Sequence, residues 1–303
     1  MAGKVIVRQS VQEEYQKTGI SPSDIATLQQ WLKTQPHMPE PYITELDLIL
    51  TYHSCCQSME VSKQVLDLHY TLRTLFNNLF LNRIVDENII KILNVFLNVP
   101  LAVPSTDNCK VVYLRLIDTD TKNFVYMDLA RVVIMQIDLL QLEEGTWPGL
   151  ILLFDLDGVT LGHLAKLDLS TVQQMIYYLQ EAMLVKLKGL HFMNATAIMN
   201  RLLLIIKPFM KKELIQMLFI HPLGATTLEK FVPLKALPKD AGGEYKTYEE
   251  VKNEWIDKMK ANSDFFFNEN KKRVAESLRP GKPKTIANIF GGVEGSFKKL
   301  DID

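Results

Sequence analysis

Cysteine is scarce in this chain: Cys55, Cys56 and Cys109 are the only three among 303 residues, and no CxxC spacing occurs. So sparse and odd a set forms neither a disulfide framework nor a zinc site, and it points to a reducing compartment such as the cytosol. An excess of one charge is missing as well. The formal net charge is −1, and no basic run is interleaved with stacking aromatics, so nucleic acid is not an expected partner. Long apolar runs are absent too. One of the longest, Leu202-Leu203-Leu204-Ile205-Ile206, stops at Lys207-Pro208, far below the ~20 residues of a bilayer crossing, so any membrane contact is expected to be peripheral. The opening Met1-Ala2-Gly3-Lys4-Val5-Ile6-Val7-Arg8 has too few apolar residues for a secretory signal, and Ala2 stands where myristoylation needs glycine. No targeting segment is read.

What is present is an ordinary globular composition, 47% hydrophobic and 23% charged, in a chain long enough for two domains. The first hundred residues lack glycine after Gly19 and read as helical. Ser21-Pro22-Ser23-Asp24 is a helix start, followed by Ile25, Leu28 and Leu32 at helical spacing. Pro36, Pro39 and Pro41 form a linker. Leu46, Ile49 and Leu50, then Val61, Val65, Leu68 and Leu72, predict two more helices and hence a small bundle.

From Lys110 the pattern changes. Val111-Val112-Tyr113-Leu114-Arg115-Leu116 predicts a strand, Asp128 to Leu142 an amphipathic helix, and Leu150-Ile151-Leu152-Leu153-Phe154 a strand covered on both faces. A helix capped by Asp168 or Ser170 runs to about Val185, and Gly189 to Met193 forms a third strand. Further helices are expected over 196–207 and 208–219, before the Gly242-Gly243 break. Alternation of strands and helices argues for an α/β unit with a largely parallel sheet. The domains are therefore placed at 1–95 (helical), 96–245 (α/β) and 246–303. The last comprises a helix over 247–260 and a tail, with Pro280-Gly281-Lys282-Pro283-Lys284 and Gly291-Gly292, that is either an arm ordered by contact or a flexible end.

Ile151 to Val159 also fits the first motif of haloacid dehalogenase-like phosphatases, in which Asp155 would attack phosphorus and Asp157 act as general acid beside magnesium. That chemistry needs a second acidic pair, and the downstream acids Glu213, Glu229 and Asp240 are isolated and not at the end of an apolar strand. Asp155 and Asp157 are then turn residues at a strand end. GxGxxG, Walker, GxSxG and HExxH motifs are absent, and the six histidines show no ligand spacing. No metal, no cofactor and no enzymatic activity are expected.

Leu153-Phe154-Asp155-Leu156-Asp157-Gly158 followed by His163, then Lys186-Leu187-Lys188-Gly189-Leu190-His191-Phe192-Met193-Asn194, Ile206-Lys207-Pro208-Phe209-Met210 and Leu237-Pro238-Lys239-Asp240-Ala241-Gly242-Gly243 occur in that order. Together they resemble the CRAL-TRIO lipid-binding family, in its branch of tocopherol transfer protein and cellular retinaldehyde-binding protein. The helical start resembles that family's N-terminal domain, and Ser277-Leu278-Arg279-Pro280-Gly281-Lys282 the tail of its insect members.

The resemblance implies a sheet floor, helical walls and a mobile lid around a lipophilic molecule such as a retinoid, tocopherol or carotenoid. Leu129, Val132, Val133 and Gln136 share one helical face, and Met175, Tyr178, Leu179 and Met183 another. With Leu150, Leu152, Phe154, Leu167, Leu190, Phe192, Ile198 and Leu202 they are the expected lining, Gln136 and Tyr178 supplying polar contacts. The alternative for each stripe is plain core. Ile198, Met199, Leu202, Leu203, Ile205 and Ile206 match the lid, since a segment apolar around much of its girth can cover an oily ligand and touch lipid. Its alternative is a buried helix.

Some family members also bind phosphoinositides. Lys186 and Lys188 fall on two of those positions, but two basic positions of tocopherol transfer protein correspond here to Glu213 and Met217, with Lys207, Lys211 and Lys212 as nearby substitutes. The expectation is a monomeric cytoplasmic carrier that meets anionic membrane transiently; phospholipid or phosphoinositide exchange, or signalling, is the alternative.

Overall fold

The computed structural model describes residues 5, 6 and 9–291. Met1, Ala2, Gly3, Lys4, Val7, Arg8 and Gly292, used in the sequence reading, lie outside them. The helical start consists of α1 (Val11–Thr18), α2 (Pro22–Lys33), α3 (Glu45–Ser54), α4 (Met59–Leu75), α5 (Asn77–Phe80) and α6 (Glu87–Val95). Helix α2 begins where the sequence places it: the Ser21 side chain accepts from the Ser23 N–H, Pro22 opens the first turn, and Ile25, Leu28 and Leu32 are buried. These residues form a small core with Leu48, Ile49, Leu66 and Tyr70.

The α/β unit is built on five strands, β1 (Phe96–Pro100), β2 (Lys110–Leu116), β3 (Leu150–Asp155), β4 (Leu187–Ala195) and β5 (Leu218–Pro222), in the order β1-β2-β3-β4-β5. β1 is antiparallel to β2 and the remaining pairs are parallel. Two strands were not expected. β1 follows α6 without a break, so its apolar run continues the helical one and no turn signal separates them. β5 replaces the C-terminal part of the helix expected over 208–219, which is instead a 3-10 turn (Lys207–Phe209), the short α11 (Lys212–Gln216) and the strand. A short apolar run does not reveal its own period; pairing of Leu218, Phe219 and Ile220 with β4 decides it.

The other helices are α7 (Tyr126–Glu144), α8 (Leu161–Leu164), α9 (Leu169–Glu181), α10 (Ile198–Ile206), α12 (Tyr248–Ala261), α13 (Ser263–Glu269) and α14 (Ile286–Phe290). Asp168 caps α9 by accepting from the Thr171 N–H at 2.9 Å. That helix stops at Glu181, four residues before the expected Val185. Helix α7 ends at Gly145, whose φ of 69° favours glycine, and the Glu14 carboxylate sits 2.2 Å from where a Cβ would stand. Glu14 accepts there from the Thr146 N–H and hydroxyl, tying α1 to the end of α7.

Packing crosses the sequence boundary at 95. Phe76, Leu79, Phe80, Ile89 and Leu93 belong to the same core as the sheet and α7. The tail returns to the helical start as an arm: Arg279 and Lys284 pair with Asp67 at 2.7 and 2.6 Å, and Phe290 stacks on Phe76 with ring centroids 5.8 Å apart. Burial alone would raise the Asp67 pKa, but hydrogen bonds from Lys284, His37 and Arg279 reverse this and hold it below the ordinary value.

Candidate ligand cavity

Successive strand residues face opposite sides, so Leu114 and Leu116, Leu152 and Phe154, and Leu190 and Phe192 share one face of the sheet. They floor a cavity of about 220 Å³. Its walls come from α7 (Tyr126, Leu129, Ala130, Val133), α9 (Val172, Met175, Ile176, Leu179) and the α8 region (His163, Leu164, Leu167), and α10 adds Leu202 and Ile206. Phe154 and Phe192 stack with centroids 5.0 Å apart, giving the floor a flat aromatic surface.

Few polar groups reach this space. Arg115 and Asp155 border it from the strand ends. Both Asp155 carboxylate oxygens are occupied: one accepts from Tyr113 and Arg115, each at 2.5 Å, the other from the Asn194 amide at 2.8 Å and the Asp157 N–H at 3.0 Å. Arg115 also reaches Asp157 at 2.7 Å. This network closes the turn after β3, as the turn reading of the aspartates expects. His163 Nδ1 accepts from the Thr160 N–H and lies 2.9 Å from its hydroxyl, which places the ring proton on Nε2. Burial lowers the His163 pKa below the ordinary imidazole value.

Of the residues expected to line the cavity, Leu129, Val133, Leu152, Phe154, Leu167, Met175, Leu179, Leu190, Phe192 and Leu202 do so. The structure places the others elsewhere. Val132 and Leu150 are fully buried in the core, and Ile198 is half-buried at the start of α10. Tyr178 and Met183 line a separate, polar cavity of about 130 Å³ with Asp47, Arg73 and Glu269. Gln136 is buried, and neither of its amide atoms has a hydrogen-bond partner among the described residues. Sequence reasoning missed Phe96, on an unrecognised strand, and Leu114, Leu116 and Tyr126; the alternation of β2 already carried the signal for Leu114 and Leu116.

The segment expected to be a lid is α10. Leu202 and Ile206, four residues apart, face the cavity, and Met199 is buried. Leu203 packs against the core and Ile205 is half-buried. Leu204, on the far side, is 69% exposed, and Leu161 and Leu169 on the neighbouring α8 and α9 are 64% and 51% exposed. Of the lysines considered for anionic lipid, Lys188 is exposed, Lys186 lies 3.4 Å from His53, and Lys211 pairs with Glu181 at 2.6 Å. Burial and the Lys186 charge push the His53 pKa down to about 4.

This arrangement of floor, helical walls and apolar interior coincides with a match to a family model. The model of the CRAL/TRIO domain matches residues 102–243. That match takes in just under half of this chain. A second model, described as a Pinta-like UBA domain, matches residues 17–90 in the helical start. The human protein named alpha-tocopherol transfer protein-like is 28% identical over 240 residues, covering 78% of this chain and 63% of that protein. Mouse clavesin-2 is 23% identical over 200 residues, covering 63% of this chain and 60% of that protein. The chain thus spans a little under two thirds of the length of these curated relatives. The crystal structure of Sfh5 aligns with a TM-score of 0.47 at 12% identity, over 96% of this chain and 100% of that one. Among the described residues no helix is long and apolar enough to cross a membrane.

Proposed function

We propose that this chain binds one lipophilic small molecule in the cavity of its CRAL/TRIO domain and transfers it between membranes, with α10 as the gate. The observation that carries the reading is the cavity itself, floored by the sheet and closed on one side by a helix that also shows leucine to solvent. Burial supplies the affinity: a ligand hiding roughly 300 Å² of apolar surface gains about 7 kcal/mol before ordering costs. A retinoid, tocopherol, carotenoid or related terpenoid fits such a site by chemistry, and the names of the tocopherol-transfer-like relatives support the same class. Residues lining the cavity are the proposed ligand contacts. Gln136 is packed outside that cavity, and the likeness of the tail to insect members belongs to this reading.

Leu204, with Leu161 and Leu169 beside it, forms the proposed surface for membrane contact. Lys186 and Lys188 add a weak attraction to anionic lipid, while Lys211 is already engaged by Glu181. The protein acts as a cytosolic monomer and not as an enzyme. Native mass spectrometry of the purified chain, before and after organic extraction and reloading, should show a single bound hydrophobic molecule. Failure to find or load one refutes the carrier. Vesicle-to-vesicle movement of labelled phosphatidylinositol, with no uptake of terpenoids, would establish phospholipid exchange in its place.

A further inference from the structure

The arm that follows α13 is attached to the helical start mainly by side chains. Over 271–290 it holds a 3-10 turn (Glu276–Leu278) and the five-residue α14. Among the described residues, its backbone pairing to the helical start is limited to the Ala275 N–H on the His37 carbonyl, at 2.8 Å. Arg273 donates to the Arg73 carbonyl at 3.0 Å and to Asn77 Oδ1 at 3.2 Å, and the Val274 N–H to the Thr74 hydroxyl at 2.9 Å. The chain then turns at Pro280-Gly281, where Gly281 has a φ of 94°, and Arg279 and Lys284 on the two limbs of the turn meet the one carboxylate of Asp67. Glu276 ties the limbs together, accepting from Arg279 Nε at 2.6 Å and from the Lys284 N–H at 2.8 Å. Beyond Lys284 the arm ends on a ring. Phe290 is 6% exposed, stacked on Phe76 and edge-on to Tyr177 with centroids 5.3 Å apart. Tyr177 belongs to α9, whose Met175, Ile176 and Leu179 wall the apolar cavity. The same helix holds the segment that follows the gate: Gln180 donates to the Phe209 carbonyl at 3.2 Å and accepts from the Lys211 N–H at 3.1 Å, and Glu181 pairs with Lys211. One helix thus connects the arm to the gate. A segment held by side chains, with little backbone pairing, opens at a lower free energy than the core it covers.

We propose that residues 271–290 are a latch on ligand exchange. Phe290, set between Phe76 and Tyr177, braces α9 and through it the gate α10, and the ion pairs at Asp67 set how long the latch stays shut. This rests on the carrier reading given above. With the arm in place, α9 is held from outside while its other side walls the cavity. With the arm released, α9 loses that support, the gate follows, and the bound molecule leaves faster. The latch acts on the rate of exchange, and Phe290 and Asp67 are positioning residues that do not touch the ligand.

The test uses the full chain with two readouts: hydrogen exchange by mass spectrometry without ligand, and departure of bound cis-parinaric acid into neutral phosphatidylcholine vesicles, followed by its fluorescence. Phe290→Ala should raise exchange across α9 and α10 while β2 and β3 stay as in wild type, and should speed departure of the probe about tenfold, the worth of two aromatic contacts. Asp67→Asn removes the ionic hub but leaves the ring in place, and should speed departure about two- to fivefold. The Lys284 and Asp67 side chains are 34% and 19% exposed, so salt reaches the pair. Raising sodium chloride from about 50 mM to about 500 mM should therefore speed departure from wild type and leave Asp67→Asn unchanged. Exchange that rises over the whole chain or in the arm alone overturns the latch, and so does a wild-type departure rate indifferent to salt, which needs no variant. Either result leaves the carrier reading intact. Failure of wild type to take up the probe refutes the carrier reading and the proposal with it, even where α9 and α10 exchange as expected.

Discussion

Asp155→Asn separates a turn aspartate from a nucleophile. Asp155 is 3% exposed and accepts four hydrogen bonds on its two oxygens, two of them from the charged Arg115 and the Tyr113 phenol. Asparagine keeps the shape but loses the charge, and its NH2 must face donors that previously found an acceptor. Breaking a buried ion pair by removing one partner costs about 3–5 kcal/mol. The lower end applies, because Arg115 retains Asp157 at 2.7 Å and one acceptor oxygen survives. About 3 kcal/mol corresponds to a fall of roughly 5 °C in melting temperature for a chain of this size. Thermal and urea denaturation of the two proteins measure it, alongside hydrolysis of a generic phosphate ester with magnesium. A variant as stable as wild type, or a phosphatase activity that vanishes with the substitution, refutes the turn assignment.

Leu204→Glu should leave the denaturation midpoint within about 0.5 kcal/mol of wild type, since the side chain is exposed. It should weaken co-sedimentation with vesicles roughly tenfold or more, from the loss of one buried leucine at the membrane; unchanged partitioning rejects the docking surface. Gln136→Leu should raise ligand-free stability by about 1–3 kcal/mol in urea, by removing a buried amide without partners, and a destabilised variant would show that the amide is satisfied. Stability should also fall with pH. Burial pushes His69 down to about 3 and His191 down to about 4, so between pH 6.5 and 4 the unfolded chain binds protons that the native rings refuse. Each such histidine removes about 1.4 kcal/mol per pH unit below 6.5, and its contribution is fully present above that value. Urea midpoints at pH 7 and 5 should show the drop, and His191→Phe should make it shallower; an identical slope in the variant contradicts the assignment.

Local signals were legible in the chain where the local term dominates. The Ser21-Pro22 start of α2, the Asp168 cap of α9 and the strands expected over 111–116 and 150–154 follow from capping chemistry and apolar periodicity, and each stands within a residue of where those signals put it. So did the apolar faces of α7 and α9, although a face does not say which of its residues meet a cavity and which meet core. Leu129 and Val133 face open space while Val132 and Gln136 are packed, because neighbouring residues on one face touch different partners along the sheet. The strand nature of 96–100 and 218–222, each a short apolar stretch with no period of its own, came only from the neighbouring strands that pair with them.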